Sequence, residues 1–182
     1  MDSLGIDVAR GGRDNTIIVR RHGMWFDRTL AYPGSTTPDG PTVAGLTIAA
    51  TRDSAPQHID VIGVGSSPYD FLNSHRQQVM GVNVAEKALG TDQSGRLGFI
   101  NQRSELGWRL REAFDPANNT GIAVPPEPEI LSELCAPKWK LSGAKIQVEG
   151  RDDIIKRVGH SPDRFSAYCL ALIDTPKRSA LR

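Results

Sequence analysis

Two tripeptides of one kind, Ile6-Asp7-Val8 and Ile59-Asp60-Val61, each set a carboxylate in the middle of an apolar run that reads as a strand. Burying an unpaired carboxylate is costly, so such a residue must pair, take up a proton or bind a cation. A single Asp of this kind is often a hydrogen-bonding residue of the core. Two of them on strands that can be neighbours are different, because adjacent strands lie about 5 Å apart. That separation suits carboxylates bridging one or two hard cations, and magnesium and manganese take oxygen ligands while keeping waters for a substrate. Asp163 is the third candidate, since Ser161 as N-cap and Pro162 at the first helical position would put it in the first turn of the last helix. Acids are favoured there for the helix dipole alone, so Asp163 gains meaning only in company with Asp7 and Asp60.

The elements that must position these acids follow from the pattern around them. Leu4 to Ala9 reads as a buried first strand, Thr16 to Arg20 as its partner, and Met24 to Tyr32 as a third strand. Thr37-Pro38-Asp39 predicts a capped helix start through Val43, Leu46, Thr47 and Ala50. His58 to Val64 is a second apolar strand, and Ser67-Pro68-Tyr69-Asp70 opens a helix with Phe71 and Leu72. Gly81 to Ala85 is a short strand, and Glu86 to Gly98 reads as a mobile loop or hairpin tip. Asn101 to Phe114 is a helix with Leu106, Leu110, Ala113 and Phe114 as its core stripe. Pro125, Pro126 and Pro128 break the chain before Ile130 to Cys135. Trp139 to Leu141 and Lys145 to Val148 make a hairpin around Ser142-Gly143. The final helix runs to about Asp174, burying Phe165, Tyr168, Cys169 and Leu172. A strand meander followed by alternating strands and helices argues an α/β fold with a mixed central sheet and helices on its faces.

Bulk composition narrows the class further. The 182 residues suit one domain, residues 1–182, and no apolar run approaches the ~20 residues of a membrane span. The start at Met1-Asp2-Ser3 has no cationic or apolar leader pattern. Cys135 and Cys169 lack paired spacing, which speaks against a disulfide framework or zinc site; both are expected to be buried in a reducing compartment. The 22 basic and 21 acidic residues leave a net charge of +1, so any DNA surface must be a local patch. Arg10, Arg13, Arg151, Lys156, Arg157 and Arg164 stand beside the acidic motifs and could cradle phosphates. His22, His58, His75 and His160 show no ligand spacing, and Trp25, Trp108 and Trp139 are expected to be packing residues.

Four segments together resemble the nuclease domain of tailed-phage large terminases. Gly5-Ile6-Asp7-Val8-Ala9-Arg10-Gly11-Gly12 with Asp14 resembles the opening of those domains. Ile59-Asp60-Val61-Ile62-Gly63-Val64-Gly65 with Tyr69-Asp70 is similar to their second acidic strand and its helix. Asn101-Gln102-Arg103-Ser104-Glu105 resembles the segment leading into a long helix. Arg151-Asp152-Asp153-Ile154-Ile155-Lys156-Arg157 and Ser161-Pro162-Asp163-Arg164 resemble the C-terminal signature. The resemblance implies a ribonuclease H-like fold and two divalent cations, Mg²⁺ or Mn²⁺, held by Asp7, Asp60 and Asp163. It implies an endonuclease that cuts concatemeric double-stranded DNA during genome packaging in the host cytoplasm. Its partners would be an ATPase motor domain, small terminase and the portal of the procapsid. The family often has a further Asp where this chain has Ser166, which leaves Asp152 or Asp153 as alternative third ligands. No Gly-x-x-x-x-Gly-Lys-Ser/Thr loop occurs, so the motor is expected to be absent from this chain. Alternatives are a resolvase- or transposase-type nuclease of the same fold, a sugar-kinase or actin-like nucleotide-binding domain, and a non-catalytic DNA- or portal-binding module.

Overall fold

The computed structural model describes residues 1–9 and 14–177. The chain runs β1 (Ser3–Asp7), β2 (Asn15–His22), β3 (Trp25–Phe26), β4 (Leu30–Pro33), α1 (Gly40–Ala50), β5 (Gln57–Asp60), α2 (Ser66–Ser74) and β6 (Val79–Val82). It continues through β7 (Gly98–Phe99), α3 (Gln102–Phe114), α4 (Pro128–Cys135), β8 (Trp139–Ser142), β9 (Lys145–Val148), α5 (Arg151–Val158) and α6 (Asp163–Ala171). The main sheet has the order β3-β2-β1-β5-β6, with β4 also on β2. β2 is antiparallel to β1, whereas β5 and β6 run parallel to it. A second sheet of order β7-β9-β8 flanks α3. The expected mixed α/β architecture is therefore the observed one.

Strand alternation divides the core into two layers. Leu4, Ile6, Ile18 and Ile59 pack with Val43, Ala44 and Leu72 of α1 and α2 on one face. Ile17 and Val19 face Trp108, Leu110, Ile130, Phe165 and Tyr168 of α3, α4 and α6 on the other. The odd-numbered residues of β1 (Ser3, Gly5, Asp7) lie under α6. The Ser3 hydroxyl donates to the Ala171 carbonyl, and Gly5 sits against the backbone of Ala167 and Ala171. Two strand residues advance about 6.7 Å and four helix residues about 6 Å. The antiparallel run of α6 along β1 therefore brings its start, Asp163, to the level of Asp7.

Gly5 is what lets α6 approach so closely. A Cβ there would stand 2.0 Å from the Ala167 carbonyl oxygen and 2.4 Å from the Ala171 nitrogen. Neither backbone atom can yield unless the helix lifts off the sheet. Gly5→Ala is expected to cost about 3 kcal/mol of stability, read as a lower urea midpoint at unchanged slope.

Several local expectations are corrected. Asp39, not Thr37, caps α1: its carboxylate accepts from the Thr42 amide at 2.8 Å, and Pro41 falls in the first turn. α2 starts at Ser66 after the turn Gly63–Gly65. The long third strand is instead two short ones, β3 and β4, both on β2. Of the two expectations for residues 86–98, the hairpin tip is the observed one: Thr91 and Gly98 bridge antiparallel, and the segment is tied to α3. The Gly90 and Gln93 amides donate to Glu105 and Glu112 of α3, and the Asp92 carboxylate accepts from Leu97 N at 3.0 Å. α5 was not foreseen as a helix. Cys169 is buried but Cys135 is exposed, and Trp25 and Trp139 are each about half exposed rather than packed away. No helix among the described residues is long and apolar enough to cross a membrane.

Candidate metal centre

Asp7 closes β1 and Asp60 closes β5, and their strands pair in parallel with Ile6 opposite Ile59. Equal register at the carboxyl ends puts both acids on the α6 face, where Asp60 lines a small cavity with Ser166 and Cys169. Asp163, in the first turn of α6, is buried at 6% exposure. The predicted trio therefore gathers at one end of the sheet, on one face.

The electrostatics are those of carboxylates crowded together. Dense packing around Asp7 raises its carboxyl to about 8, and the Asp163 and Asp60 charges push the same way against Arg151 and Arg103. Burial also raises Asp60, opposed by the Ile62 amide, which donates to its Oδ1 at 3.0 Å. Burial raises Asp163 too, against the Asn15 amide at 3.1 Å. Among the described residues, no donor stands within hydrogen-bonding or salt-bridge distance of the Asp7 carboxylate. Nor do any three His, Cys, Asp or Glu side chains among them stand close enough to enclose an ion. An oxygen-only donor set with an unsatisfied, protonation-prone acid at its centre fits a hard divalent cation.

Of the basic residues singled out in the sequence, Arg151 reaches the acids. Its guanidinium donates to Asp14 at 2.7 Å and stands 3.8 Å from Asp163. Arg157 turns instead to Glu149 and to the Ala136 carbonyl. Lys156 is exposed, 3.8 Å from Asp153. Arg10 and Arg13 lie outside the described residues. Asp152 and Asp153 sit in the first turn of α5, both exposed.

Arg164 is held by Glu133, which accepts from both its backbone amide and its guanidinium. Both side chains are mostly buried. Arg164→Ala leaves buried Glu133 with the backbone amide but without its counter-charge, so a stability loss of about 3 kcal/mol is expected by denaturant titration. A loss under about 0.5 kcal/mol, the range of ordinary surface changes, would mark the pair as a surface contact.

Two charged residues near the acids were not singled out from sequence. Asp14, the partner of Arg151, stood only as a companion of the opening motif. Arg103 stood only as part of the segment before α3, although a cation in a helix's first turn opposes the dipole and so asks for a reason. A cleft of about 430 Å³ opens beside Asp163, walled by Asp14, Glu129, His160 and Ser161. A larger cavity of about 650 Å³ lies between α3, α4 and β8 and contains none of the three acids.

No protein-family model and no curated protein sequence matches the chain. Solved structures do. The nuclease domain of the large terminase subunit gp2 of bacterial virus Sf6, as a point variant with manganese and β-thujaplicinol, superimposes with a TM-score of 0.73 at 15% identity. The match covers 96% of this chain and 88% of that one. The calcium form of such a variant gives 0.72 at 16% identity, covering 95% and 88%. The magnesium-bound large terminase nuclease of the thermophilic phage G20c gives 0.62 at 17% identity, covering 93% and 78%. The chain thus has the fold of large-terminase nuclease domains, ribonuclease H-like as the four segments implied.

Proposed function

We propose that this chain is the metal-dependent DNA endonuclease domain of a viral large terminase, with Asp7, Asp60 and Asp163 as the ligands of two divalent cations. The observation that carries it is the placement of the three acids at one end of the sheet, toward α6, with the Asp7 carboxylate unpartnered among the described residues. Manganese, calcium or magnesium in the similar structures supports the choice of a hard cation. When bound, the cations would activate the attacking water and offset charge on the leaving 3′ oxygen of a phosphodiester.

The protein's own part is to hold the ligands and admit the strand. The ends of β1 and β5 fix Asp7 and Asp60 on rigid backbone, and the packing of α6 on Gly5 fixes the approach of Asp163. Arg151 offsets part of the acid charge that would otherwise repel a phosphate, and the cleft beside Asp163 gives the strand an open side. With a net charge of +1, binding to double-stranded DNA is weak and salt-sensitive. Cutting of concatemers, joined to an ATPase motor, small terminase and portal in the host cytoplasm, belongs to the same proposal.

Incubation with supercoiled plasmid tests it. Nicked and linear products are expected with manganese or magnesium and none with a chelator. Cleavage that persists in chelator, or intact plasmid in both metals, contradicts the proposal.

A further inference from the structure

Arg103 is a half-buried cation for which the proposed mechanism has no use. Its Nε donates to the Glu149 carbonyl at 3.2 Å, and its guanidinium lies over the Phe165 ring, 5.7 Å from the centroid. One terminal nitrogen, Nη2, is buried without a hydrogen-bond partner among the described residues. No carboxylate among them stands within salt-bridge distance of Arg103 either. Arg103 is thus held at a fixed standoff, with a spare donor.

What separates it from Asp60 is a small cavity, walled mostly by Val84, Leu106, Phe165 and Leu170 and polar on one side. Arg103, Asp60, Ser166 and Cys169 also line this cavity of about 20 Å³. Roughly 10–15 Å³ of such space holds one water, provided two to four polar partners surround it. Three of the lining residues carry polar groups: Asp60, Arg103 with its unpartnered Nη2, and Ser166, whose hydroxyl makes only a long 3.4 Å bond to the Pro162 carbonyl. A phosphate group does not fit, so Arg103 is not placed to touch substrate from this side.

We infer that Arg103 is a positioning residue for Asp60, holding its carboxylate in place through one water in the cavity between them. The Ile62 amide fixes Asp60 from its own strand end, and Arg103 fixes it from the α3 side. The inference rests on Asp60 being a metal ligand. Partners behind a ligand govern affinity, and their loss typically weakens metal binding about 10- to 100-fold. Charge alone gives the opposite sign, because removing a nearby cation favours a divalent ion.

The experiment is calorimetric titration of manganese alone into wild type, Arg103→Met, Arg103→Gln and Ser166→Ala, with melting curves in chelator. Arg103→Met is expected to raise the manganese Kd about 10- to 100-fold. Arg103→Gln, which keeps a donor, is expected to recover most of that loss. Ser166→Ala, which takes a partner from the same cavity and leaves the guanidinium in place, weakens binding in the same direction. Affinity in Arg103→Met equal to or tighter than wild type overturns the inference, as does equal weakening in Arg103→Met and Arg103→Gln. Should Arg103→Met fail to fold, wild-type affinity in Ser166→Ala overturns it instead. A wild type that binds no manganese removes Asp60 as a ligand, a distinct failure.

Discussion

Asp60→Asn is expected to remove DNA cleavage while leaving the protein folded. Oδ1 of asparagine can accept from the Ile62 amide as Oδ1 of Asp60 does at 3.0 Å, so the turn after β5 keeps its geometry. What is lost is the charge that holds a cation. Metal stabilisation is worth several kcal/mol in such reactions, so the rate should fall by about a thousandfold or more. Stability in chelator should stay level or rise, because one of three crowded negative charges is gone. Plasmid cleavage in manganese and a melting curve in chelator read both outcomes. A folded Asp60→Asn protein that cuts at the wild-type rate contradicts the assignment.

The second large effect is on stability against pH without metal. The Asp7 carboxyl, raised to about 8 from an ordinary 3.8 by burial and by Asp163 and Asp60, keeps its proton in the folded protein where the unfolded chain has lost it. The folded state then binds more protons, so stability must fall as pH rises between those values. His58 acts oppositely. Burial depresses it to about 4 from 6.5, so its contribution rises with pH, but only below 6.5. The window from pH 6.5 to 8 therefore isolates the acids.

Across that window the loss is on the order of 2 kcal/mol, or roughly 4–8 °C in Tm for a chain of this size. Asp7→Asn should flatten the profile. Manganese should restore more stability at pH 8 than at 6.5, because it binds the deprotonated form. A wild-type Tm in chelator that stays level from pH 6.5 to 8, like that of Asp7→Asn, would show that Asp7 is already ionised.

The three acids were legible because their surroundings are local. An Asp inside an apolar strand, or just after Ser-Pro, is odd or well placed on its own chain segment, and strand alternation then assigns its face. The partners of the basic residues are not local. Arg157 and Arg164 stand beside the acidic motifs in sequence, yet helix geometry turns them toward Glu149 and Glu133, with Glu133 31 positions away from Arg164. The close approach at Gly5 was equally hidden, since a glycine in a strand shows its purpose only once Ala167 and Ala171 lie against it. At the start of α1, Thr37 and Asp39 are both good caps followed within two residues by Pro. The choice fell to Asp39, whose carboxylate meets the Thr42 amide. α5 was not legible because its eight residues, Arg151–Val158, carry only one buried side chain, Ile154, too few for a periodic stripe.

The measurement that bears most directly on the metal centre is anomalous diffraction from crystals soaked in manganese. Anomalous peaks bounded by the carboxylates of Asp7, Asp60 and Asp163 are the expected result. Two ions bound together should lie about 3.5–4 Å apart. Manganese bound elsewhere on the chain, with these three carboxylates free of it, would contradict their role as metal ligands.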